Sequence, residues 1–307
     1  MKLIKQSFEI IEQPSGLEGI YKQIELAGRT CYKSEDKITE DSAKEFVDRM
    51  IKSGHGAMLE HGTVYLKLEG INKSWEYYHA QEYLENNYSK VVIEREGIDS
   101  ADWYEFYITT NFRVLVENNW LNDLKYICEP TEYHEKRITV KFTCDRGILA
   151  EFTRHRTFSF SAESTRYCNY SKDKFNNEIT YTIPCWTNLK EDSYSINDVE
   201  EPYDRCLIIG KCANLEEAIF IRSLCYAEKN YFELIKASWK PQQARAVLPN
   251  ALKTELVMTG FVNDWRHLFK LRTSFIAKTG KPHPDMSNLC DPLYKEFVNR
   301  GLMEPLI

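Results

Sequence analysis

The stretch from Arg154 to Tyr170 concentrates the side chains best suited to bind an anion. Within thirteen residues it places three arginines, together with a histidine, several hydroxyl side chains and aromatic rings. A merely solvated face would mix Lys with Glu, whereas arginine beside hydroxyls suits planar, bidentate recognition of phosphate or carboxylate. The stretch therefore predicts an anion-binding segment of an active site.

Two other interpretations of this stretch explain less. Basic residues from Arg154 to Arg156 would also suit the C-terminus of a helix, but that leaves Ser164 and Arg166 unexplained. Ser164 could be a nucleophile, yet no adjacent residue looks like an orienting base, so a hydrogen bond to phosphate is the more economical role.

Basic residues elsewhere leave alternatives open. Arg245 lies among small apolar residues between prolines, so it needs either a carboxylate or a ligand anion as partner. For Arg272, exposed surface is the default. His55 and His61 are six residues apart, which is the wrong spacing for two metal ligands on one helical face, so no metal site is predicted.

Composition narrows the class of protein. The 307 residues carry a formal charge of −6, which argues against broad nucleic-acid binding. Nine cysteines without a C-x-x-C pair indicate reduced thiols and a cytoplasmic protein. No apolar run approaches the ~18 residues of a membrane span. The chain has no P-loop, G-x-G-x-x-G or G-x-S-x-G motif, so arginines, hydroxyls and helix N-termini would have to hold any nucleotide.

Periodicity predicts one mixed α/β domain over residues 1–307, with an elaboration at about 72–135. The predicted strands are 2–13, 63–69, 137–144 and 177–184. The predicted helices are 17–28, one from about 39 to 54, 111–127, 148–152, about 201–239, 251–277, and a last one ending near Arg300. Residues 186–200 are a predicted polar loop, whereas residues 53–62 are too rich in Gly and His to be a plain connection.

R-H-R at Arg154–Arg156, followed after seven residues by S-T-R-Y at Ser164–Tyr167, resembles the signature of flavin-dependent thymidylate synthases. Further blocks resemble the same family in order and spacing. They are Gly54-His55 with Glu60-His61, Asn111-Phe112-Arg113, Tyr181-Thr182-Ile183-Pro184, Ala244-Arg245-Ala246-Val247-Leu248-Pro249, and Asp264-Trp265-Arg266-His267 through Leu271-Arg272. His283-Pro284 follows across an apparent insertion and is given no role. Residues 72–110 and 186–235 carry little of the resemblance.

The resemblance implies a fold and a reaction. The fold would be a mainly antiparallel central sheet flanked by helices, assembled as a homotetramer with active sites between subunits. The reaction would be reductive methylation of dUMP to dTMP, with FAD as cofactor, methylenetetrahydrofolate as carbon donor and NADPH as reductant.

Site residues follow from the resemblance position by position. Arg272 would be catalytic, because it would stabilise the ionised pyrimidine. The residues implied to bind flavin are His55, Ala57, Arg154, His155, Arg156, Ala162, Phe261, Asn263 and His267. The residues implied to bind the nucleotide are Glu151, Arg154, Ala162, Glu163, Ser164, Thr165, Arg166, Arg245 and Arg272.

Some positions depart from the common pattern of the family. Ser161 stands where Asn is frequent, Ala162 where Glu or Gln is usual, and Glu151 where Gln is frequent. A related flavoprotein that has lost methyl transfer through the Ala162 change is therefore a further hypothesis. A non-catalytic nucleotide- or RNA-binding module that uses the cluster from Arg154 to Arg166 is the alternative from another class.

Overall fold

A computed structural model describes residues 1–96, 103–172, 175–195, 212–278 and 280–306. The strands are β1 (Lys2–Ile4), β2 (Ser7–Ile11), β3 (Thr63–Ile71), β4 (Lys90–Glu96), β5 (Trp103–Asn111), β6 (Arg137–Asp145), β7 (Ser159–Ala162), β8 (Thr180–Thr182), β9 (Asp192–Ser193) and β10 (Lys253–Phe261). The helices are α1 (Gly16–Tyr32), α2 (Ser42–Lys52), α3 (Gly56–Leu59), α4 (Trp75–Glu85), α5 (Phe112–Glu117), α6 (Arg146–Phe152), α7 (Leu215–Lys236), α8 (Pro241–Ala244), α9 (Val262–Arg272) and α10 (Pro284–Asn299).

The central sheet has four strands in the order β2-β6-β10-β7, and every pairing in it is antiparallel. Strand β10 pairs along its whole length with β6, from Lys253 opposite Asp145 to Phe261 opposite Arg137. On its other side, β10 pairs with β7, which leads directly into Glu163. The prediction of a mixed α/β fold with an antiparallel central sheet is confirmed.

Helices α6, α9 and α10 bury one cluster of side chains against this sheet. Trp265 of α9 is fully buried and contacts Phe142 of β6, Phe158, and Phe297 of α10. An aromatic side chain buries about 150–250 Å² of surface and dominates the energy of the core around it. This cluster therefore fixes α6 and α9, the two helices that lead to Arg154 and Arg272.

Two smaller sheets accompany the central one. Strands β3, β5 and β4 form an antiparallel sheet that packs with α1, α2, α4 and α5 around a second core, which includes Phe46 and Phe106. Strands β8, β1 and β9 form a third sheet, which packs with α7 around Tyr181 and Tyr231.

The predicted helix over 251–277 is wrong in its first half. Residues Lys253–Phe261 form strand β10, and helix α9 begins only at Val262. Every residue from Thr254 to Gly260 is buried, because the strand has layers on both faces. A strand buried on both faces loses the alternation that distinguishes it from a helix.

Other predicted elements differ in their limits. The predicted strand 2–13 is two strands in different sheets, and the predicted helix 111–127 is α5 followed by a 3-10 helix at Leu121–Tyr126. The predicted strand 177–184 shortens to β8, and the Gly- and His-rich segment 53–62 contains the short helix α3. Of the predicted helix 201–239, residues 215–236 form α7, while 201–211 lie outside the described residues.

Strands β4 and β5 lie inside the predicted elaboration at 72–135, where no strand was predicted. Strand β5 pairs with β3, which precedes that segment, so residues 103–111 share a sheet with the chain before residue 72. Among the described residues, no helix is long and apolar enough to cross a bilayer. No disulfide bond joins any two of the eight cysteines in this part of the chain.

Gly19, near the start of α1, gives a test of how this helix is seated. A Cβ at this position would lie 1.7 Å from the Pro14 carbonyl oxygen, and backbone has little room to yield. We expect Gly19→Ala to lower the free energy of unfolding by roughly 1–3 kcal/mol, the usual range for overpacking, in urea titrations followed by circular dichroism. Glu18→Ala, whose side chain is 71% exposed, is the control. Equal stability of the two variants would contradict the close approach of Gly19 to the Pro14 backbone.

Candidate active site

Arg272, at the last residue of α9, lies between Glu151 and His155. Its Nη1 donates to Glu151 Oε2 at 2.6 Å, and its Nε donates to His155 Nε2 at 3.0 Å. The side chains of Arg272 and Glu151 are only 18% and 29% exposed, so the ion pair is partly shielded from water. Residues more than a hundred positions apart thus form one cluster, and Arg272 is not an exposed surface residue.

The arrangement fixes the protonation state of His155. Because Nε2 accepts a hydrogen bond from Arg272, the neutral ring must carry its proton on Nδ1. Burial, and then the charges of Arg272 and His267, lower the pKa of His155 to about 4. His267 lies alongside, with ring centroids 6.5 Å apart. His155 is therefore a neutral hydrogen-bond acceptor at physiological pH.

Local sequence explains how these side chains are positioned. Asp145 caps α6 by accepting from the Ile148 N–H at 2.6 Å, and the helix then carries Glu151 on its last turn. Helix α9 ends at Arg272, whose carbonyl accepts from Ser287 Oγ of α10 at 3.3 Å. Packing of α6 and α9 on the same sheet brings their C-terminal ends together.

The arginine at 245 is held by a hydroxyl. Its Nη1 donates to Thr165 Oγ1 at 2.7 Å, and within the described part of the chain it forms no ion pair. Of the two partners left open by the sequence, a carboxylate is therefore not found among these residues. The Ser164 N–H donates to the Cys31 carbonyl at 2.9 Å. This bond connects the signature segment, residues 154–167, to α1. Arg166 is exposed beside them.

Glu163 is buried in a network of charges. Its carboxylate accepts from Lys253 Nζ at 2.9 Å, and Lys253 also donates to Glu255 at 2.6 Å. Burial alone would raise the pKa of Glu255, but Lys253, Lys33 and Lys141 outweigh it and hold that pKa well below its usual range. The backbone of Glu163 is also engaged, because its N–H donates to the Glu255 carbonyl at 2.8 Å and its carbonyl accepts from Arg146 at 3.3 Å. Glu163 therefore supports the segment structurally.

A second group of predicted residues lies around the end of α1. Tyr32 Oη and His55 Nδ1 are hydrogen-bonded at 3.0 Å, and the Tyr32 ring lies 5.4 Å from the Tyr167 ring. His55, Ala57 and Tyr167 are exposed. The described side-chain contacts of His55 are therefore with Tyr32, whose ring in turn contacts Tyr167.

Phe261 and Asn263, at the junction of β10 and α9, lie beside charged side chains. The Phe261 ring has the Arg137 guanidinium 5.6 Å and the Lys90 ammonium 5.9 Å from its centroid. Asn263 Nδ2 donates to Glu135 at 3.4 Å. Basic side chains therefore lie beside Phe261, whereas the neighbour of Asn263 is acidic.

The unusual positions have structural explanations of different strength. Ser161 is buried, and its hydroxyl donates to the Ala27 carbonyl at 2.6 Å, so it joins β7 to α1. Ala162 offers only a methyl group as side chain, so its polar contacts are restricted to the backbone.

His61 is buried, and its Nδ1 is hydrogen-bonded to Thr259 Oγ1 at 2.8 Å. Burial, and then the charge of Arg137, lower the pKa of His61 to about 3. His61 is thus a structural residue of the core.

His283 is an N-cap of α10, since its Nδ1 accepts from the Asp285 N–H at 3.3 Å. No group of three or more His, Cys, Asp or Glu suited to a metal ion occurs among the described residues.

Sequence reasoning missed the basic and acidic residues that support the signature segment. Lys253 and Glu255 are two apart on a strand and so point to the same face, but the region was predicted as a helix. Tyr32 and Lys33 carried no recognisable signal, because their partners are distant in sequence.

His155 offers a test of the cluster. Because its folded-state pKa is below the ordinary 6.5, the stability from keeping it neutral is present above about pH 6.5 and is lost as pH falls towards 4. In Arg272→Gln we expect the pKa of His155 to rise, though not fully, because burial is the larger cause. NMR titration of the imidazole measures the pKa, with exposed Arg300→Gln as the control. An unchanged pKa in Arg272→Gln would contradict the contact.

Comparisons with known proteins find a family match over more than half of the chain. Residues 130–299, more than half of the chain, match the model of the thymidylate synthase complementing protein family. A probable flavin-dependent thymidylate synthase of Paramecium bursaria Chlorella virus 1 is 27% identical over 219 residues, covering 68% of this chain and 92% of that protein. The flavin-dependent thymidylate synthase of Mycobacterium avium is 29% identical over 133 residues, covering 42% and 46%.

Solved structures give weaker likenesses. A UMP/dUMP methylase from Streptomyces cacaoi bound with 5-Br dUMP has a TM-score of 0.42 and 14% identity, covering 97% of this chain and 93% of that one. Thymidylate synthase X from Helicobacter pylori with FAD and dUMP has a TM-score of 0.38 and 15% identity, covering 94% and 92%. On the family match, this chain belongs to the thymidylate synthase complementing protein family, that of the flavin-dependent thymidylate synthases.

Proposed function

We propose that this protein methylates dUMP to dTMP reductively, with FAD as cofactor, methylenetetrahydrofolate as carbon donor and NADPH as reductant. The observation that carries the proposal is the cluster of Arg272, His155 and Glu151, three residues that the family resemblance had assigned separately. Its position within the matched region 130–299 supports the same reaction.

The nucleotide phosphate would lie between the signature segment and Arg245. Arg245 is already held by Thr165, and exposed Arg166 forms no ion pair in the described part of the chain. A dianionic phosphate suits these two guanidinium groups and the hydroxyl of Ser164. Each charge-assisted hydrogen bond contributes about 1.5–3 kcal/mol.

Arg272 would face the pyrimidine. Its Nε and Nη1 are used by His155 and Glu151, whereas Nη2 has no hydrogen bond among the described residues. That free N–H edge can donate to a ring oxygen and stabilise negative charge on the ionised pyrimidine. His155 and Glu151 act as positioning residues, because they fix the plane of the guanidinium before a ligand arrives.

The residues expected to hold FAD fit its chemistry. Arg154 and Arg156 are exposed and without ion pairs in the described ranges, so their charges are available for a diphosphate, and Arg154 would also contact the nucleotide. Exposed His55, Ala57, Asn263 and His267 and half-buried Phe261 offer two apolar and three polar side chains. Bound FAD supplies the hydride, while these residues supply orientation and charge. Ala162 would take part only through its backbone.

A homotetramer with sites between subunits stays part of the proposal. His55 contacts Tyr32 on one side of the signature segment, whereas His155 contacts Arg272 at the end of α9. Joining exposed flavin residues from two subunits would complete one site. A cytoplasmic location is also proposed, and the lack of disulfide bonds among the described cysteines is consistent with it.

The visible spectrum and the turnover of purified protein test the function. We expect a yellow protein with bound FAD that converts dUMP to dTMP only when both methylenetetrahydrofolate and NADPH are present. The flavin absorption should change on adding dUMP, because the ring lies beside the nucleotide. A colourless, inactive protein that also fails to bind added FAD would contradict the proposal. Salt-sensitive binding of RNA would favour the alternative, a non-catalytic nucleotide- or RNA-binding module.

The division of labour between arginines gives a second test. Arg272→Gln should keep the flavin colour and lower kcat at least about 100-fold, because it removes an interaction used in the reaction. Arg166→Gln should mainly raise KM for dUMP. Arg300→Gln, at an exposed position on the end of α10, is the matched control. Equal small effects from Arg272→Gln and Arg166→Gln in steady-state kinetics would refute this division.

A further inference from the structure

A cavity of about 610 Å³ lies between the end of α1, the 3-10 helix Glu35–Lys37 and α2. It is lined by five Lys or Arg side chains, while Asp36 is its lining carboxylate. The chain as a whole carries a charge of −6, so this α1–α2 cleft is opposite in sign to the average surface. A cleft lined by one sign of charge concentrates ligands of the other sign.

Two of the five cations are neutralised within the protein. Arg29 donates to Glu25 at 2.9 and 3.0 Å, and Lys33 donates to Glu255 at 2.6 Å. Both side chains line the cleft, but their charges are already balanced by these carboxylates.

The other three cations have no such partner. Lys37, Arg49 and Lys172 are exposed and form no ion pair within the described residues. Arg49 is nevertheless oriented, because its guanidinium lies 5.2 Å from the Phe46 ring centroid. Asp36 supplies one negative charge to the lining against these three positive charges. The cleft therefore carries a local excess of positive charge.

The α1–α2 cleft adjoins the Ser164–Tyr167 end of the signature segment. Tyr32 and His55 line it and are hydrogen-bonded to each other at 3.0 Å. The Tyr32 ring contacts the Tyr167 ring, which directly follows Arg166 of the signature. A ligand with its reacting ring near His55 could therefore extend a charged tail into the cleft.

We propose that the α1–α2 cleft binds the polyanionic tail of a cosubstrate, with Lys37, Arg49 and Lys172 as its contacts. The inference rests on the proposed function, because it takes the cosubstrates from that reaction. Two of them carry suitable charge: the glutamyl carboxylates of a folate and the phosphates of NADPH. Neither charge has a partner assigned among the residues of the site.

The test compares KM values of the FAD-loaded enzyme. The variant is Lys37→Gln with Arg49→Gln, and the control is Lys44→Gln with Lys236→Gln, which removes equal charge from exposed positions that do not line the cleft. The substrates are methylenetetrahydrofolate with one or five glutamyl groups, and NADPH. We expect KM of the pentaglutamyl form to rise roughly two- to tenfold, as for two exposed charge pairs, with the monoglutamyl form less affected. A rise confined to NADPH would identify the dinucleotide as the source instead.

Unchanged KM values for both cosubstrates, or equal changes in the control, would overturn the proposal. So would loss of FAD from the cleft variant with KM values otherwise unaltered, because the cleft would then belong to the flavin. Calorimetric titration with inorganic tripolyphosphate separates this inference from the proposed function. An enzyme that never turns over dUMP, yet loses tripolyphosphate binding only in the cleft variant, would overturn the function and support an anion site.

Discussion

Hydrogen bonding of strand β10 on both of its edges determines where the site residues lie. Strand β6 on one edge leads into α6 and Glu151, and β7 on the other leads into Glu163 and the signature segment. Strand β10 itself continues into α9, which ends at Arg272. Since antiparallel pairing fixes the register, a one-residue slip of β10 would turn Lys253 and Glu255 away from Glu163 and Lys33.

The charges on β10 make this register specific. Glu255 forms ion pairs with three lysines: Lys33 at the end of α1, Lys141 on strand β6, and Lys253 on its own strand. Removing a single partner from such a buried network would leave an uncompensated charge, which costs more than the pairing contributes. The same network holds Glu163, so the segment that delivers Thr165 and Arg166 is anchored by electrostatics on one side and by the Ser164–Cys31 backbone bond on the other.

Sequence reasoning reached the residue types of the site but not their partners. The arginine-rich stretch and its hydroxyls could be recognised because they are close in sequence, and the central antiparallel sheet followed from family resemblance. The pairs Arg272–Glu151 and Arg245–Thr165 join residues 121 and 80 positions apart, so only the fold brings them together. Strand β10 was missed for a related reason: burial on both faces removed the polar alternation that would have marked it.

Glu151 gives the site an electrostatic character that the usual glutamine would not. A carboxylate 2.6 Å from Arg272 offsets much of the guanidinium charge, so an ionised pyrimidine at Nη2 would meet a weaker positive field. His155 adds no charge, because it is neutral at physiological pH. Glutamine at 151 would orient Arg272 through a hydrogen bond without this opposition. In the proposed reaction, Glu151 would therefore set how strongly Arg272 stabilises an anionic base.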